Sequence, residues 1–199
     1  MLVNYVFNTN IHYNDDLSYI NLFVISLLAT YTVYAEHDMV NMLRMLFVYV
    51  VADLCFLPIT RIESIIHHLI VVGGSLTLYT GNFERHTINA IALPLIKTEL
   101  SSLFLCSKHF LKKIKNTSNV VENIYTANNI VFMVAFFRYR CYGLYIDVIN
   151  NDYIIQTLLR NEKGHPKITT YGLVYGLFIL QLYWFSLMLR IVYRKYIVA

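Results

Sequence analysis

Charge is scarce in this chain. Only 14% of its 199 residues are Asp, Glu, Lys or Arg, against about 25% in a soluble domain. That shortfall excludes an ordinary water-soluble globule. It also argues against nucleic acid as a partner, because the net charge is only +4 and the Lys and Arg residues sit at helix ends, where they read as topology. Cysteine is equally sparse. Cys55, Cys106 and Cys141 are odd in number and lack metal-type spacing, so no disulfide framework is expected and they read as small apolar packing residues. HExxH is absent, and two adjacent histidines do not present the i, i+4 geometry of a zinc helix, so neither a metal site nor a cofactor is expected. The N-terminus MLVNYVFNTN has no basic region followed by an apolar core, so a cleavable signal peptide is not expected and the first hydrophobic helix serves as the targeting signal. There are no internal repeats and no low-complexity tracts. The length suits one domain without a separate soluble catalytic module.

What the chain has is apolar length. Hydrophobic residues make up 57%, the mean hydropathy is +0.52, and the excess falls into long runs separated by short polar segments. That is the pattern of a multi-pass membrane protein. Six runs approach the roughly 17–25 residues that a spanning helix needs: 17–34, 39–58, 62–80, 88–107, 120–137 and 168–192. The expected fold is therefore all-α, a transmembrane bundle of about six spanning helices. Pro58 is expected to end the second run, Gly81-Asn82 to stop the third and Pro94 to kink the fourth. The stretch from Tyr139 to Lys167 is the one long connection, its first part a candidate interfacial or re-entrant helix.

Orientation follows from Lys and Arg in short loops. Lys108, Lys112, Lys113 and Lys115 follow the fourth run, and Arg190, Arg194 and Lys195 follow the sixth. Six spans put both groups on one side, so both termini are expected in the cytosol. Arg140, Arg160, Lys163 and Lys167 weigh the other way. The sequon Asn116-Thr117-Ser118 would then be cytosolic and unused.

Several polar residues interrupt the runs: Asp53, His67, His68, Lys97, Glu99, Asn128 and Asn129, with Arg138 and Arg140 at the end of the fifth. A charge at the centre of a spanning helix costs roughly 2.5–3.5 kcal/mol, so several in one small bundle make sense only if they converge on an interior site. Spacing supports convergence. Ser64, His67, His68 and Ser75 fall broadly on one side of the third helix, and Leu95, Glu99, Ser102 and Cys106 form one stripe of the fourth. His67 and His68 point about 100° apart. One of them can be catalytic or ligand-binding while the other makes a structural hydrogen bond, or both can be structural. Asp53 is either the acceptor that orients a His N–H or an interhelical hydrogen bond. Lys97 does not face Glu99 and is expected to snorkel or to meet another helix. Trp184, with Tyr183, reads as packing or as an interface anchor.

Four segments carry a resemblance: Tyr49-Val50-Val51-Ala52-Asp53-Leu54, the His67-His68 pair, Thr98 to Leu105, and Leu180 to Phe185. Asn128-Asn129, Phe136-Phe137 and Arg140 fall between the last two. Together they resemble the TLC-domain family, the lipid-sensing and ceramide-synthase superfamily of endomembrane proteins. The resemblance covers 39–195 as a TLC-like transmembrane domain and leaves 1–38 as an N-terminal segment with the first span. It implies residence in the endoplasmic reticulum or a related membrane, with a membrane lipid or acyl chain as partner. It implies catalytic candidates His67, His68 and Asp53, and lipid-binding candidates Glu99, Ser102, Asn128, Asn129 and Arg140. Ceramide synthases carry a further His-Asp-x-x-Asp signature, where this chain has Lys97, Thr98 and Ser101. The chain thus looks like the non-ceramide-synthase branch. Three functions stay open: a lipid-handling protein, an acyl-CoA-dependent acyltransferase with a histidine as general base, and a structural membrane protein without a lipid site.

Overall fold

The computed structural model describes residues 15–35, 39–56, 62–80, 85–160 and 167–196. Pro58, Gly81, Asn82 and Lys163 lie outside these residues. Every expected run coincides with a helix: α1 (Asp15–Tyr34), α2 (Met39–Phe56), α3 (Ile62–Thr80), α4 (Arg85–Thr98) continued by α5 (Leu100–Ile114), α6 (Asn119–Phe136) and α8 (Lys167–Tyr196), with a short α7 (Asp152–Arg160) before the last. Among the described residues there is no strand. By length and composition, Ile88–Thr117, Asn119–Ile149 and Gly172–Arg194 suffice to cross a membrane, and Ser18–Tyr34 and Ile62–Leu78 are shorter apolar helices. The chain is thus a multi-pass helical membrane bundle.

Two departures from the expected elements position the site. Pro94 lies inside α4, and the helix tightens at Glu99: the Glu99 amide bonds the Ile96 carbonyl and the Ser102 amide bonds the Glu99 carbonyl, both three residues apart. The segment after α6, whose first part is expected as a separate interfacial or re-entrant helix, is helical but runs on directly from α6. It continues the helix with wider, π-type winding over Phe137–Gly143 and Tyr145–Ile149. Such winding is frequent at functional sites, and here it buries Arg140, Cys141, Gly143 and Val148.

Packing is that of a bundle in lipid. Large apolar side chains face outward, among them Val48, Val134, Ile179 and Ile191, which water would penalise and hydrocarbon does not. Hydrocarbon supplies no hydrophobic drive between helices, so close packing holds them together. A core of Met42, Leu43, Leu78, Ile91, Ile96, Leu144, Val148 and Leu177 joins α2, α3, α4, the π-wound segment and α8. Gly73 on α3 faces α8, where a Cβ would make ordinary van der Waals contact with Leu173 at 3.4 Å. Hydroxyls on these helices mostly satisfy themselves: Ser26, Thr30, Thr32 and Thr77 each donate to the carbonyl four residues back. Tyr19 at the start of α1 stacks on His109 near the end of α5, with ring centroids 3.9 Å apart. The basic end of α5 therefore shares one end of the bundle with the start of α1.

Candidate functional site

A cavity of about 240 Å³ opens inside the bundle. Its polarity changes along its length. Toward the end shared by the start of α1, the end of α2 and the start of α3 it is lined by Ser18, Asp53, Ser64, His67 and His68. Toward the opposite ends of the helices it is lined mainly by apolar side chains, among them Leu43, Ile91, Val148 and Leu173, together with Ser75. The helix directions produce this gradient. α3 runs antiparallel to α8, so His67 meets Trp184 with ring centroids 5.3 Å apart, while Gly73, two turns on, meets Leu173.

The two histidines play different parts. His68 is locked. Its Nδ1 lies 2.7 Å from the Ser64 carbonyl oxygen and its Nε2 lies 2.9 Å from Asp53 Oδ2. A carbonyl only accepts, so Nδ1 carries a proton. Nε2 faces a carboxylate oxygen at hydrogen-bond distance, so ring and carboxyl are held together as one pair. Ser18 donates to the other Asp53 oxygen, Oδ1, at 3.1 Å, which ties α1 to the pair. His67 has no such lock. Its ring packs edge-on to His68, with centroids 5.6 Å apart, and against Trp184. Its Nδ1 is buried without a hydrogen-bond partner.

A second polar cluster forms where α4, α5 and the π-wound segment meet. Arg140 is 7% exposed. Its Nε donates to Ser101 Oγ at 2.7 Å and to the Thr98 carbonyl at 3.2 Å. Its Nη2 donates to Ser102 Oγ at 2.7 Å, and the Ser102 hydroxyl donates onward to Glu99 Oε2 at 2.9 Å. Glu99 Oε2 lies 3.8 Å from that same Nη2. The ring of Phe136 covers the guanidinium, 5.4 Å from its centroid. The tightened turn at Glu99 makes this possible. It brings the Thr98 carbonyl and the Ser101 and Ser102 hydroxyls to one point, and the Arg140 fork fits them.

The expected residues divide accordingly. Asp53, His67, His68, Glu99 and Arg140 line the cavity. Ser102 stands just behind it, holding Glu99 and Arg140 together. Asn128 does not join them: its amide donates to the Phe104 carbonyl at 3.0 Å and clamps α6 to α5. Asn129 is half-buried and does not line the cavity. Lys97 meets another helix, with its Nζ 3.6 Å from Asp147 Oδ2. Trp184 serves as packing, but at the cavity, against His67. Among the described residues there is no His/Cys/Asp/Glu cluster able to hold a metal. Sequence reasoning did not single out Ser18 or Gln181, two of the polar residues that line the cavity. Gln181 is 1% exposed and its Oε1 lacks a partner. The signal available was an amide in the middle of an apolar run, one turn before the only tryptophan.

Comparison with known proteins gives one family match, to the model described as the TLC domain, over residues 17–190. No curated protein and no solved structure matches. The matched stretch spans every residue that lines the cavity, from Ser18 to Trp184, and takes in α1 as well as the helices after it. The chain belongs to the TLC-domain family of membrane, lipid-related proteins.

Proposed function

We propose that this protein holds a single-chain lipid, or one chain of a larger lipid, inside the membrane, with the polar head toward His67 and the tail toward Leu173. The observation that carries the reading is the lengthwise polarity of the cavity. Ligand pockets usually measure about 300–1,000 Å³, so about 240 Å³ suits one alkyl chain with a small head better than a two-chain phospholipid. The protein would act on membrane lipid composition or homeostasis from the endoplasmic reticulum or a related membrane. Both termini would be cytosolic, in keeping with the basic end of α5 lying beside the start of α1.

A second reading, acyl transfer, draws support from His67. This histidine has a free Nδ1 beside the locked Asp53–His68 pair, an arrangement in which His67 would take a proton from an amine or hydroxyl. Against ceramide-synthase chemistry, the two positions that would carry its acidic pair are already engaged. The Thr98 carbonyl and the Ser101 hydroxyl hold Arg140. We favour the non-ceramide-synthase branch.

Gly74 provides the test. It lines the cavity and has open space where a Cβ would project, so Gly74→Phe should plug the cavity without forcing the helices apart. Protein purified in mild detergent should carry a single-chain lipid, read by mass spectrometry of the extract, and Gly74→Phe should lose it while keeping its helical circular dichroism. The same lipid complement in both proteins would sink the reading.

A further inference from the structure

We infer that the head group this cavity accepts is uncharged and donates a hydrogen bond: a hydroxyl-bearing head on a single alkyl chain. The inference rests on the lipid-holding reading above and adds the chemistry of the head. The first observation is a charge inventory of the wall. Among the described residues that line the cavity there is no lysine, and Arg140 is the one arginine. Arg140 is already engaged by Glu99, Ser101, Ser102 and the Thr98 carbonyl. His68 is engaged by Asp53 and the Ser64 carbonyl. Among the described residues, each carboxylate in the wall therefore already has a largely buried partner, Asp53 with His68 and Glu99 with Arg140. An anionic head would find no unpaired cation among the described residues and would have to break one of these buried pairs, leaving a carboxylate uncompensated.

The second observation is independent of charge. Two polar atoms in the wall lack partners, His67 Nδ1 and Gln181 Oε1. Both residues line the cavity, and Trp184, one helical turn from Gln181 on α8, packs against the His67 ring. A carboxamide oxygen only accepts, so whatever completes Gln181 must donate. An imidazole nitrogen can accept or donate according to tautomer. A hydroxyl meets both demands, giving its proton to Gln181 Oε1 while its oxygen or a second hydroxyl engages His67. A fatty carboxylate or an alkyl phosphate dianion brings acceptors and a charge, and an alkane brings nothing. Sites built around a buried hydrogen bond discriminate strongly against ligands that cannot complete it.

Trp184 is the only tryptophan in the chain, so its emission reports on this end of the cavity. The full chain, purified in detergent, is titrated with a long-chain primary alcohol and with the alkane, fatty acid and alkyl phosphate of equal chain length. The alcohol should give a saturable change at concentrations at least roughly tenfold below the other three. In Gln181→Met, similar in shape but without the acceptor, that preference over the alkane should collapse. The wild-type ranking decides the matter even if this variant fails to fold. Tighter binding of the fatty acid or the phosphate would overturn the inference in favour of an anion site. Equal binding of all heads would overturn it and leave the lipid-holding reading standing. Absence of a saturable change with any chain would remove both.

Discussion

Replacing Arg140 by methionine should be among the most damaging single changes outside the apolar core, and its size can be worked from the contacts. The guanidinium makes three hydrogen bonds, to the Thr98 carbonyl, Ser101 and Ser102, and lies 3.8 Å from Glu99. Methionine fills most of the volume and supplies none of these. Glu99, 8% exposed, would keep only the Ser102 hydroxyl. Breaking a buried pair from one side costs about 3–5 kcal/mol. Hydrogen bonds inside membrane bundles measure lower than that logic implies, because the unfolded state in lipid also finds partners. The expected loss is therefore near the bottom of the range, about 3 kcal/mol. Glu99→Gln should cost less, about 1–2 kcal/mol, because Arg140 keeps its carbonyl and hydroxyl acceptors. The double variant Glu99→Gln/Arg140→Met should be more stable than Arg140→Met alone by about 1–2 kcal/mol, since it removes the stranded charge. Unfolding in mixed micelles, followed by Trp184 emission and far-ultraviolet circular dichroism, reads all four corners of the cycle. Strictly additive losses, or a loss below about 1 kcal/mol for Arg140→Met, would refute the view that Glu99 and Arg140 form one buried unit.

Two glycines should behave in opposite ways. A Cβ at Gly143 would meet the Arg138 carbonyl oxygen at 3.0 Å, whereas one at Gly74 meets nothing within 4 Å. Gly143→Ala should therefore lower stability by about 1–3 kcal/mol, and Gly74→Ala should be neutral or gain up to about 1 kcal/mol from helix propensity; thermal unfolding in detergent that ranks them equally would count against the packing around the π-wound segment. Tags at either terminus should be open to protease in intact microsomes; protection of the C-terminal tag alone would mean an odd number of spans, and protection of both would mean inversion. Purified protein given sphingoid base and acyl-CoA of several chain lengths should form no ceramide above a His67→Ala/His68→Ala control. Histidine-dependent ceramide formation would promote the acyltransferase reading.

The parts of the site that could be read in advance were those governed by cost. Asp53, His67, His68 and Glu99 stand in apolar runs and Arg140 just past the end of one, and lipid makes each of them expensive unless it turns inward. All five line the cavity. The same cost argument misplaced Asn128, because a neutral amide can settle on the nearest free carbonyl, and Phe104 on α5 offers one. It was also blind to Ser18 and Gln181, whose relevance depends on which helix lies opposite. Which histidine would be free was undecidable from spacing alone. Adjacent residues diverge by about 100°, but only the position of α2 determines that His68, not His67, meets Asp53.

Composition and hydropathy by themselves determined that this is a helical membrane bundle, roughly where its long helices lie, and that Asp53, the two histidines and Glu99 turn inward. Those properties follow from the solvent: hydrocarbon demands self-satisfied backbone and hidden charge whatever the neighbours are. Tertiary structure alone decided the π-type winding that carries Arg140 to the tightened turn at Glu99, the locking of His68, and the two atoms left without partners. Each of those depends on contacts between residues far apart in the chain, Arg140 with Ser101 and His67 with Trp184, and such contacts exist only once the helices have chosen their neighbours.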